Sequence, residues 1–123
     1  MMKKQIVFLL IFFCLLMVNC ETTTLFPTEL IGTWVTEDAP YEDRYIKINE
    51  AQFIFGTGPG EPNVFFIDKI QKKDLKEVVE WTFYCHNMGG APFDIVVFYK
   101  SGTDGGQIKL RNKEQIQWVK RKN

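Results

Sequence analysis

Alternation limits this chain more than any other feature. Val79, Trp81, Phe83 and Cys85 share one parity, with Glu80, Thr82 and Tyr84 on the other. Ile46 and Ile48 alternate in the same way with Tyr45 and Lys47, Ile108 and Leu110 with Lys109 and Arg111, and Ile116 and Trp118 with Gln117. A period of two sends successive side chains to opposite faces of a strand, so each segment buries one face and leaves the other mixed. Runs rich in β-branched and aromatic residues predict strands over Ile31–Thr36, Arg44–Ile48, Gln52–Phe55, Asn63–Ile70, Lys76–Cys85, Asp94–Lys100, Gln107–Arg111 and Gln115–Lys120. The one helix-like stretch, Gln71–Lys76, is too short to shape the architecture. No internal repeat and no strand–helix–strand alternation is present. The expected fold is all-β: an antiparallel up-and-down meander of about eight strands, closed into a small barrel because so few residues must hide every sheet edge.

Such a meander sorts its connections. Odd-numbered loops gather at one end, and even-numbered loops join the termini at the other. The odd loops are Glu37–Asp43, Gly56–Pro62, His86–Phe93 and a tight turn at Asn112–Glu114; the even ones are Asn49–Ala51, Gln71–Leu75 and Ser101–Gly106. Three odd loops are long and rich in Gly or Pro, so they form a mouth opposite the termini, and binding is expected there.

The first nineteen residues are not part of this barrel. Lys3 and Lys4 precede an apolar run from Ile6 to Val18, which ends at Asn19-Cys20 and a threonine-rich stretch. A basic start, an apolar middle and a processing site describe a signal peptide over residues 1–19. The run falls short of the ~20 apolar residues of a comfortable membrane span. A Cys at the junction is similar to the bacterial lipoprotein pattern, in which Cys20 becomes the lipidated N-terminus; ordinary cleavage nearby and an uncleaved anchor are the alternatives. Each acyl chain, palmitate for example, would add about 0.8 kcal/mol per buried methylene. The resemblance places the protein in the bacterial cell envelope, held to a membrane on its periplasmic face or at the cell surface. Residues 20–29 then form a polar tether, and residues 30–123 the barrel domain.

Composition excludes several functions. Lys3 and Lys4 leave with the signal, so thirteen basic residues remain against fifteen acids, a net charge near −2 with no case for nucleic acid. Of three cysteines, Cys14 lies in the apolar run and Cys20 at the junction, which leaves Cys85 without an internal disulfide partner and expected to be buried. Three tryptophans and the eight phenylalanines that remain after the signal imply either a dense core or an aromatic-lined cavity.

Leu30-Ile31-Gly32-Thr33-Trp34 resembles the Gly-x-Trp motif of lipocalins and related calycins, and Trp118-Val119-Lys120-Arg121-Lys122 is similar to the aromatic-x-basic ending of small bacterial lipocalin-like domains. The resemblance implies that Trp34 plugs the closed end of the barrel with a basic residue from the last strand packed on it. Lys120 and Arg121 both qualify, and with Gly32 and Trp34 we take Arg121 as the barrel-closing set.

Nothing in the chain reads as catalytic. Cys85-His86 with Met88 could hold a soft metal, but no second Cys/His pair supplies the spacing of a dedicated site. Adjacent strand residues point to opposite faces, which argues against a Cys–His nucleophile pair. Glu37, Asp38, Glu42 and Asp43 read as a solvated turn around Pro40, and Gly56–Gly60 lacks the Lys of a phosphate loop. A monomeric, non-enzymatic protein without cofactor is expected. Its barrel would hold a small apolar ligand among Phe66, Trp81, Phe83 and Phe98. Alternatively a solid barrel would dock or inhibit an envelope protein through Tyr41 and Phe93 at the loop tips.

Overall fold

Each strand pairs with its sequence neighbour, and the last returns to the first. The computed structural model describes residues 25–122, which form a closed antiparallel barrel in the order β1 to β8. The strands are β1 (Gly32–Val35), β2 (Tyr45–Ile48), β3 (Gln52–Gly56), β4 (Asn63–Asp74), β5 (Val79–His86), β6 (Pro92–Lys100), β7 (Gln107–Leu110) and β8 (Lys113–Lys120). The seam between β1 and β8 has only two residue pairs, Trp34 with Lys120 and Val35 with Val119. A backbone bond from Arg121 N–H to the Thr33 carbonyl (2.7 Å) and a bond from Gln117 N–H to the Asp38 side-chain carboxylate (3.1 Å) extend it at either end.

Of the helix-like stretch, residues 71–74 are strand and only Leu75 and Lys76 lie in the connection. β4 runs on to Asp74 because Gln71, Lys72 and Lys73 pair with Thr82, Trp81 and Glu80 of β5, and ladder pairing overrides their polar composition. The connection therefore begins at Leu75, and β5 begins at Val79 rather than Lys76. The last turn occupies Arg111 and Asn112, which lets β8 start at Lys113.

Eight strands enclose an interior about as wide as side chains can fill. Trp34, Ile46, Ile48, Phe53, Phe83, Val97 and Ile108 are fully or almost fully buried there. Trp81 and Cys85 complete the inward parity of β5, and Ile95 and Val97 that of β6. A bulge in β4 protects the pattern: pairing passes from Ile67–Cys85 to Lys69–Tyr84, leaving Asp68 as the extra residue. Without that insertion Lys69, not Ile70, would share the parity of Ile67. With it, Ile67 and Ile70 both pack on the core.

The base is closed by the chain entering β1. Thr28–Leu30 makes a short 3-10 turn, Leu30 is fully buried, and Phe26 meets Phe83 edge-on at 6.4 Å. The expected polar tether over residues 20–29 thus has a packed end, because the apolar side chains of Phe26 and Leu30 cover the bottom of the core. Trp34 Nε1 donates to the Leu30 carbonyl (3.0 Å) and its ring meets Tyr99 edge-on. Lys120, not Arg121, is the basic partner: its Nζ stands 5.2 Å over the Trp34 ring and donates to the Glu29 carbonyl (2.8 Å). Arg121 lies one residue past β8 with its side chain exposed, the parity that faces away from Trp34. Gly32 is required here, since its φ of +142° disfavours side chains and a Cβ would stand 3.4 Å from the Lys120 stem. The signal segment and Cys20 lie outside the described residues.

Candidate functional site

The odd loops meet at the end opposite Trp34, and there the interior is not filled. Inward residues Phe55, Leu110 and Ile116 near the mouth, with Trp118 further down β8, line an apolar cup of about 250 Å³. Gly56, Tyr45 and Asn63 form its side, and Tyr41, Arg44 and Lys113 its rim. Trp118 Nε1 is buried with no hydrogen-bond partner in the structure.

Loop 1, between β1 and β2, is built to reach over this cup. Buried Thr36 accepts the Asp38 N–H (3.1 Å), and Asp38 in turn bonds β8. Two successive turns, Tyr41 N–H to the Asp38 carbonyl and Arg44 N–H to the Tyr41 carbonyl, bring Tyr41 inward. Its hydroxyl accepts from Lys113 Nζ at 2.9 Å, and the Arg44 guanidinium lies 4.7 Å from the ring centre. Lys113 first, with Arg44 adding its charge, holds the phenol below its ordinary range.

A second, wider depression of about 680 Å³ adjoins the cup and shares Phe55, Asn63, Leu110 and Lys113 with it. It exists because β7 pairs only with Val97–Lys100 of β6, so the first half of β6 has no strand on that side beyond the bond from Arg111 N–H to the Val96 carbonyl. Phe93 stands on its wall, 47% exposed, stacked on Phe65 at 4.6 Å. A series of ring contacts, edge-on from Phe65 to Phe55, tilted from Phe55 to Phe53 and edge-on again from Phe53 to Phe83, links it to the core.

The four residues expected around a ligand do not come together. Trp81 and Phe83 face inward but belong to the packed core below the cup. Phe66 and Phe98 face outward. Phe66 pairs with Gln52 and His86 and stacks on the His86 ring at 5.3 Å; Phe98 pairs with Glu80 and Lys109 beneath the Arg111 guanidinium. Their neighbours Phe65, Val97 and Tyr99 hold the inward parity, and both parities being aromatic hid this. The lining residues were within reach of the sequence: Leu110, Ile116 and Trp118 carry inward parity beside the last odd turn. Of the two expected loop-tip contacts, Phe93 is exposed and Tyr41 is half-buried at the cup.

Cys85 is inward and only 3% exposed, its thiol 3.6 Å from the Phe83 carbonyl. Burial first, then the Asp68 and Asp94 charges, push it up to about 11. His86 points outward, its Nδ1 2.8 Å from the Asp68 carboxylate at the bulge, and Met88 is exposed. The three side chains therefore share no site. No protein-family model matches this chain, nor does any curated protein or solved structure with which it was compared.

Proposed function

We propose that this chain is an exported, lipid-anchored protein of the bacterial cell envelope whose lipocalin-like barrel binds a small apolar ligand at its mouth and performs no chemistry on it. The observation that carries the reading is the cup of about 250 Å³ lined by Phe55, Leu110, Ile116 and Trp118, set above a core of fully or almost fully buried side chains. That volume is several times the ~30 Å³ share of a water molecule. It lies below the ~300–1,000 Å³ of drug-sized sites, so the ligand is small. The described chain begins at the base, and an anchor at Cys20 would leave the mouth facing away from the membrane.

A second reading, a docking module for another envelope protein, is favoured by Phe93, an exposed aromatic rooted by stacking on Phe65. Native mass spectrometry separates the two. Protein taken from its host envelope into lipid nanodiscs is expected to carry acyl mass on Cys20 and a further mass that leaves on denaturation. A polypeptide with no such second mass in every preparation overturns the carrier reading. Partner capture lost in Phe93→Ala would then establish docking instead.

A further inference from the structure

The chain already lays an amphipathic group on its own cup. Tyr41 packs its ring against the core and sets its oxygen 2.9 Å from Lys113 Nζ. Lys113 Nζ also stands 5.3 Å from the ring centre, and Arg44 covers the ring at 4.7 Å. Among the described residues neither cation is ion-paired. Carboxylates are close at hand in loop 1, but Asp38 is committed to the Gln117 backbone and Asp43 turns toward Gly58. Two cations beside an apolar recess are thus served by one phenol oxygen and no carboxylate, where a full anion would make stronger, charge-assisted bonds.

We propose that Tyr41 is a built-in stand-in for the ligand, and that the ligand is a small monoanion with an apolar body, a carboxylate or a phenolate, which displaces Tyr41 and takes the Lys113–Arg44 pair. This rests on the mouth-binding reading and names its ligand chemistry. The lowered phenol of Tyr41 agrees with it, because the same field that favours a phenolate favours any anion at that oxygen. Displacement has a cost: apparent affinity is reduced by the fraction of molecules in which Tyr41 has left the cup. Tyr41 therefore acts against the ligand while holding the two cations in place for it.

The test compares benzoate with isosteric benzamide on the full-length protein in nanodiscs, read by ligand-observed saturation-transfer NMR. Benzoate is expected to bind about tenfold more tightly than benzamide, the size of one charge-assisted hydrogen bond. Lys113→Met should erase that preference and Lys113→Arg should restore it, while Tyr41→Ala should tighten both probes. Equal binding of the two probes, or weaker binding in a Tyr41→Ala protein whose melting is unchanged, overturns this inference and leaves the mouth-binding reading standing. Failure of both probes to bind the wild type and Tyr41→Ala alike removes the reading itself.

Discussion

Cys85 carries a consequence that can be worked out from one atom. Its thiol stays neutral in the folded chain up to about 11, whereas an ordinary thiol ionises near 9.0. A raised value leaves stability untouched below the ordinary one, and stability declines as pH climbs from 9.0 toward about 11, because only the unfolded chain gains by releasing the proton. Urea midpoints measured between those limits should therefore fall less steeply in Cys85→Ala than in the wild type. Parallel slopes would show that the thiol titrates alike in both states. Iodoacetamide should label the native protein only as fast as the barrel opens, since neutral thiols are poor nucleophiles.

Among the strands, β2 and β3 show how one side chain's absence is used. Tyr45 pairs with Gly56 across the ladder and lays its ring on the glycine, so closely that any Cβ at residue 56 would overlap the ring. Gly56→Ala must push Tyr45 off the wall of the cup and should cost about 1–3 kcal/mol, as overpacking does. Urea unfolding checks this, and a loss below half a kcal/mol would mean the ring moves freely. The same scale shows what the sequence could and could not reveal. Where one parity was apolar and the other polar, as in β5 and β8, the inward face was legible residue by residue. Phe65-Phe66 and Val97-Phe98 offered apolar choices on both parities, and only the cross-strand partners decide between them. The β4 tail was hidden for another reason: Gln71, Lys72 and Lys73 have weak strand preference and are held by β5. Its free edge beyond Phe66 carries Lys69, Lys72 and Lys73, and that of β6 carries Pro92 and Asp94, the residues that discourage unwanted strand addition.

At the scale of the whole molecule, the barrel is solid at the base and open at the top, and its charge follows the same axis. Glu37, Asp38, Glu42, Asp43 and Glu61 crowd the mouth loops, while Lys72, Lys73, Lys76 and the Lys120–Lys122 run lie toward the base. Arg44 and Lys113 stand out against that acidic mouth, which is why they draw attention as a pair. Phe26 and Leu30, among the described residues ahead of β1, belong to the fold as much as any strand. Leu30→Ala is expected to destabilise the barrel by about 2–5 kcal/mol, the range for a fully buried leucine. A loss under 1 kcal/mol by chemical denaturation would make the entering segment an ornament.

That closure has a mechanical side. Any pull on the chain ahead of Leu25 reaches Leu30 and Trp34 first, and Lys120 hands part of it to the last strand through its bond to the Glu29 carbonyl. The first and last strands are thereby loaded together at the same end. Tension along β1 meets its rungs to β2 and β8 side by side, in shear, and not one after another as in unzipping. A seam of two residue pairs is thus arranged to resist tugging from the direction in which the chain enters.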